Sequence, residues 1–209
     1  MDLEKLRRPQ RLPMMRALLV TLAVVLPLAA QAELVVITDS FGIPEGRGGA
    51  AVGWPEHLGA EVVGQPGWNA WRAAYVLRYY PNRVDFTGDT VVIALGLDEA
   101  RKGGWDVFTW QTQITYLVHR SIELGADLVL LPYLPVPPSE SWAISLFNQG
   151  YRSACQAIPR NGNTRVDALP IWCGMFTFKY DFFGPDNDTF MSQDGHDRFA
   201  ELIKQRLRL

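Results

Sequence analysis

Thr90-Val91-Val92-Ile93-Ala94-Leu95 carries no polar side chain after its threonine. A strand with one wet face alternates apolar and polar residues. A strand that is apolar at every position is covered on both faces, as in a parallel sheet between two helical layers. Two further runs read the same way: Glu33–Thr38 (ELVVIT) and Asp127–Leu131 (DLVLL). Working outward, Ala60–Val63 and Val166–Trp172 read as further strands. Pro55–Leu58, Trp71–Tyr80, Val107–Leu124, Ala143–Ile158 and Gly195–Leu207 have helical spacing, the second and third stopped by Pro81 and Gly125, while Pro132 stops the strand Asp127–Leu131. Strands alternating with helices predict one α/β domain, a three-layer α/β/α sandwich around a central parallel sheet. In such folds ligands bind beyond the carboxyl ends of the strands. The loops to inspect therefore begin at Asp39, Gly64, Gly96, Pro132 and Gly174.

The first 32 residues stand apart from that pattern. Lys5, Arg7, Arg8, Arg11 and Arg16 precede an apolar run from Ala17 to Ala30, interrupted by Pro27 and followed by Ala30-Gln31-Ala32. That run is shorter than the roughly 20 residues of a membrane-spanning helix. With its basic start and small-residue cleavage pattern it reads as a secretory signal peptide. The expected mature domain is 33–209, periplasmic or secreted, with no stable membrane span after cleavage. It holds 15 basic and 20 acidic residues, a net of -5. That balance argues against nucleic acid and other polyanionic partners. Cys155 and Cys173 are the two cysteines. In an oxidising compartment they are candidates for a disulfide, with two buried thiols as the alternative. No C-x-x-C, P-loop, HExxH or EF-hand pattern occurs, so no metal or cofactor is expected. Gly46-Arg47-Gly48-Gly49-Ala50-Ala51 matches the letters of a dinucleotide fingerprint, but it starts eight residues past Thr38 and no helix opens directly on it.

Three loops carry groups with chemistry. Ser40, just past the first strand, is placed to be exposed at the sheet edge as a nucleophile; a turn or cap residue is the alternative. Gly67, in Gly64-Gln65-Pro66-Gly67-Trp68-Asn69, would let a backbone N–H approach a ligand oxygen. Gly96-Leu97-Asp98-Glu99 puts acidic side chains at the same edge, or caps a helix. Trp68, Trp71 and the aromatic-rich stretch Met175–Phe190 would wall the site, or simply fill the core.

Taken together, these blocks resemble the SGNH/GDSL hydrolase family. Thr38-Asp39-Ser40 corresponds to its G-D-S motif, Gly67 to the oxyanion-hole glycine, and Gly96-Leu97-Asp98-Glu99 to its G-x-N-D block. The order and spacing of elements from Glu33 to Leu209 fit as well. The resemblance implies a flavodoxin-like SGNH hydrolase fold and a serine esterase. Thr38 stands where the family's glycine is usual, and two blocks depart further from the pattern. Asp98 stands where asparagine donates to the oxyanion, and a carboxylate donates only if protonated. In the D-x-x-H block, aligned on Gly195-His196, Asn187 and Phe190 stand where aspartate and histidine are usual. His196 is then the candidate base, with Asp194 or Asp188 to orient it. Equally, Gly195-His196 reads as the start of the last helix with Asp194 as its N-cap.

The expectation is an exported esterase acting on an acyl or acetyl ester of a small molecule, lipid or glycan. Its candidate catalytic residues are Ser40, Gly67, Asp98, Asp194 and His196. The alternative is a catalytically impaired domain of the same fold that binds a glycan or partner protein. Nothing in the sequence bears on oligomeric state.

Overall fold

The structure, a computed structural model, describes residues 33–44, 49–102, 106–135, 141–157, 164–169, 182–183 and 190–209. Five strands form one parallel sheet: β1 (Leu34–Thr38), β2 (Glu61–Gly64), β3 (Thr90–Ala94), β4 (Leu128–Pro132) and β5 (Arg165–Leu169), in the order β2-β1-β3-β4-β5. β1, β3 and β4 occupy the middle, and their apolar runs are buried at consecutive positions: Val35 to Thr38, Val91 to Leu95 and Val129 to Leu131. Burial on both faces is the reason these three read as continuous rather than alternating. The edge strand β2 leaves Glu61 and Val62 exposed.

The helices are α1 (Trp54–His57), α2 (Ala70–Tyr79), α3 (Leu97–Lys102), α4 (Val107–Glu123), α5 (Ser141–Ala157) and α6 (Gln193–Leu207). α2, α4 and α5 pack side by side on one face, and α1 pairs with α6 on the other. Their contacts to the sheet are apolar: Leu117 and Val118 from α4, Phe147 and Tyr151 from α5, Phe199 and Ile203 from α6. Phe199 packs edge-on against Phe41 and Trp54, each with ring centroids 5.0 Å away.

Two departures from the sequence reading matter for function. Leu97–Lys102, read as a loop, is a short helix, so Asp98 and Glu99 lie in a first helical turn. Six residues are too few for the 3.6-residue period to show. The cap of the last helix is Ser192, whose hydroxyl accepts from Gly195 N–H, and the helix starts at Gln193; Asp194 lies inside the first turn. The leader (1–32), Cys173, Asp188 and most of the aromatic stretch lie outside the described residues. Cys155 Sγ lies 3.6 Å from the Val166 carbonyl oxygen.

The strand order reverses between β1 and β3: the chain moves outward from β1 to β2, then returns to the other side. In open α/β sheets ligands bind at such a switch point, beyond the carboxyl ends of the strands. On its far side β3 and β4 part early: their pairing ends at Val92–Leu130, while β4 and β5 stay paired to Pro132–Leu169. α5 satisfies the parted backbones. The Tyr151 phenol accepts from Leu95 N–H at 2.8 Å and donates to Leu95 C=O at 2.6 Å. Asn148 does the same for Leu134, at 2.8 and 2.9 Å.

Candidate active site

Asp39 directly follows β1 and is fully buried. One carboxylate oxygen accepts from Phe41 N–H (2.9 Å) and the other from Gly96 and Asp98 N–H (both 3.1 Å). This side chain therefore ties the loop after β1 to the loop after β3 across the switch point. Burial, with the Asp98 carboxylate next in importance, raises its pKa to about 7 despite those three donors. Thr38 adds a second tie, donating its hydroxyl to Ala94 C=O at 2.9 Å.

The clamp sets Ser40 opposite Asp98. Ser40 Oγ donates to Asp98 Oδ2 at 2.7 Å, and Ser40 N–H donates to the same oxygen at 3.2 Å. Gly67 N–H reaches it from the third loop at 2.8 Å. Gly67 has φ +82°, a conformation glycine adopts without strain, and Lys102 Nζ holds its carbonyl at 3.0 Å. Three donors from two loops thus converge on one oxygen atom.

Glu99 backs the cluster. One of its oxygens accepts from Ala70 N–H at the start of α2; the other is buried with no hydrogen-bond partner among the described residues. Burial and then the nearby Asp39 raise its pKa to about 8. Two acids of this cluster, Asp39 and Glu99, therefore hold protons toward neutral pH, because charging several carboxyls in one buried space is unfavourable.

The structure brings Ser40, Gly67 and Asp98 together; it does not hydrogen-bond His196 or Asp194 to them. His196 is buried in the first turn of α6, and its Nδ1 accepts from Trp54 N–H at 3.2 Å. Burial, aided by the nearby His57, lowers its pKa to about 4, so the ring is neutral at pH 7. Asp194 is exposed on the same turn. Around them, Gln193 accepts from Ala51 and Val52 N–H at 3.0 and 3.1 Å, and Asp197 pairs with His57 at 2.8 Å. The sequence reading passed over Asp39 as a clamp, Glu99 as a buried acid, and Lys102. Only the Asp-Ser-Phe-Gly turn after a buried strand hinted at the first.

Of the expected aromatic wall, Phe182, Phe183 and Phe190 are buried core residues. Trp68 is half-buried against the core, and Trp71 is exposed and stacks on Tyr75 at 5.6 Å. Among the described residues no three His, Cys, Asp or Glu are placed to hold a metal ion, and no helix is long and apolar enough to cross a membrane.

No family model and no curated protein matches the chain. Solved structures do. TesA is similar at TM-score 0.64 and 17% identity, over 84% of this chain and 98% of its own. The lipase/acylhydrolase from Enterococcus faecalis gives 0.59 and 17%, over 84% and 95%. A carbohydrate esterase family 3 protein from Talaromyces cellulolyticus gives 0.61 and 15%, over 85% and 96%. At these identities the likeness speaks for architecture, and with the 2-1-3-4-5 parallel sheet and its flanking helices it places the chain in the SGNH-hydrolase fold, as a divergent example.

Proposed function

We propose that this chain is a serine hydrolase of carboxylic esters, with Ser40 as nucleophile and the N–H groups of Ser40 and Gly67 as the oxyanion hole. One observation carries the reading: Ser40 Oγ, Ser40 N and Gly67 N all lie 2.7–3.2 Å from a single oxygen, Asp98 Oδ2. A position within hydrogen-bond reach of both a nucleophile and two fixed amide donors is where a reacting carbonyl oxygen has to sit. The Asp98 oxygen stands in for that atom. The similar structures, named as esterase and lipase/acylhydrolase, support the same chemistry. The substrate is an acyl or acetyl ester on a small molecule, lipid or glycan, met outside the cytoplasm after removal of residues 1–32.

Turnover of short-chain aryl esters by the mature protein, beside Ser40→Ala, tests this. Ser40→Ala is expected to lose activity to background. Equal rates in the two proteins across pH 5–9 would instead favour a binding domain that has kept the fold and lost the reaction. N-terminal sequencing of exported protein is expected to begin at Glu33; retention of earlier residues would remove the export proposal.

A further inference from the structure

We propose that Asp98 is the general base of this reaction: it takes the Ser40 proton on Oδ2 and then uses that proton as the missing hydrogen-bond donor to the oxyanion. The inference rests on the serine-hydrolase reading above.

The geometry points to it in three ways. Asp98 Oδ2 accepts the Ser40 hydroxyl at 2.7 Å, inside the range for direct proton transfer, and the carboxyl is buried. The other candidate acceptor, His196, spends Nδ1 on Trp54 N–H, which leaves the proton of its neutral ring on Nε2. Finally, the backbone around Asp98 is fixed: Asp39 holds its N–H, and the helix α3 begins one residue before it. Among the described residues, Asp39, Glu99 and Lys102 are charged or titratable groups near this point.

The step balances as follows. When an ester binds, Oδ2 gives up its place: the carbonyl oxygen takes over the Ser40 and Gly67 N–H groups, and the displaced Oδ2 still accepts the Ser40 hydroxyl. A carboxylate that has handed two donors to the substrate is a better proton acceptor. As Ser40 Oγ bonds to the acyl carbon, its proton moves to Asp98. The carboxyl is now neutral and donates to the oxyanion, supplying what a carboxylate at this position otherwise lacks. Collapse breaks the bond to the leaving oxygen, which takes the proton. Water then repeats the sequence: its proton goes to Asp98, its oxygen bonds to the acyl carbon, and Ser40 Oγ leaves with the proton.

Asp98→Asn separates this role from the others. The amide keeps an acceptor oxygen for the two N–H groups and brings a permanent donor, but it cannot accept the serine proton. With Asp98 as base, kcat/KM for an alkyl acetate and the rate of Ser40 labelling by a fluorophosphonate should both fall about 10²–10⁴-fold, with the melting temperature unchanged. The loss should be larger for alkyl than for p-nitrophenyl esters, whose leaving group needs no proton. Should Asp98→Asn fail to fold, Asp98→Ala is read instead: turnover rising with added formate is expected, and no response overturns the proposal. Wild-type or higher rates in Asp98→Asn also overturn it, and if Ser40→Ala is then still inactive the hydrolase reading stands. Full activity in Ser40→Ala would sink both together.

Discussion

Gly67 matters through its backbone alone. Its N–H is one of the two amides aimed at Asp98 Oδ2, and its φ of +82° lies where an L side chain is strained. A Cβ there would meet only Lys102 Nζ, at 3.7 Å, so space is not the obstacle. The cost of Gly67→Ala is conformational, about 1–2 kcal/mol. The loop can relieve it only by rotating the peptide that carries the N–H. Loss of one oxyanion donor lowers kcat about 10²-fold or more. Gly67→Ala is therefore expected to cut kcat on aryl esters by a factor of that order, with KM little changed. A fall in thermal stability with full kcat would show that the amide does not face the reacting oxygen.

Among the elements, α5 decides whether the ends of β3 and β4 keep their places. β3 and β4 part after Val92 and Leu130, and two α5 side chains replace the missing ladder bonds. Tyr151 closes both hydrogen bonds of Leu95, immediately before Gly96 and Asp98. α5 approaches α4 closely because position 150 has no side chain: a Cβ on Gly150 would lie 2.4 Å from Trp110 Cζ3. Tyr151→Phe keeps the ring but strands a buried N–H and a buried C=O, at about 1–3 kcal/mol each. For a domain of this size the melting temperature should drop by roughly 5–15 °C. Esterase activity should fall with it, because Leu95 leads into the loop that carries Asp98. A melting temperature within one or two degrees of wild type would mean that water replaces the phenol.

Across the whole molecule, buried titratable groups set opposite limits on stability. His196 has its pKa lowered to about 4 from 6.5. Its contribution is complete above pH 6.5 and is lost as the pH falls toward 4, where the unfolded chain takes up the proton first. Asp39 and Glu99 are raised to about 7 and 8. Their contribution is complete below about pH 4 and is lost as the pH rises through 7 and 8. Glu99→Gln removes one alkaline term while keeping an acceptor for Ala70 N–H. Its melting temperature relative to wild type should therefore rise steadily from pH 5 to pH 8. A constant difference over that range would show that Glu99 is ionised throughout.

The architecture is legible in the chain's own pattern. Three short apolar runs without alternation read as interior strands, and the helices between them point to parallel pairing. That pattern also placed Ser40, Gly67 and Asp98 on the loops of one sheet edge, since position along a strand fixes which end a residue occupies. How those loops meet depends on contacts made only in the folded chain. Whether Ser40 faces Asp98 or His196 depends on the two hydrogen bonds that Asp39 accepts across the switch point, from Gly96 and Asp98 N–H, and on the small Leu97–Lys102 helix. Those contacts join residues more than 50 positions apart, and no local pattern of side chains encodes them. The role of His196 was likewise hidden, because a histidine opening a helix looks the same in sequence whether it faces a nucleophile or accepts the N–H of Trp54. Periodicity records burial, but the direction of a side chain within a loop follows from its distant partners.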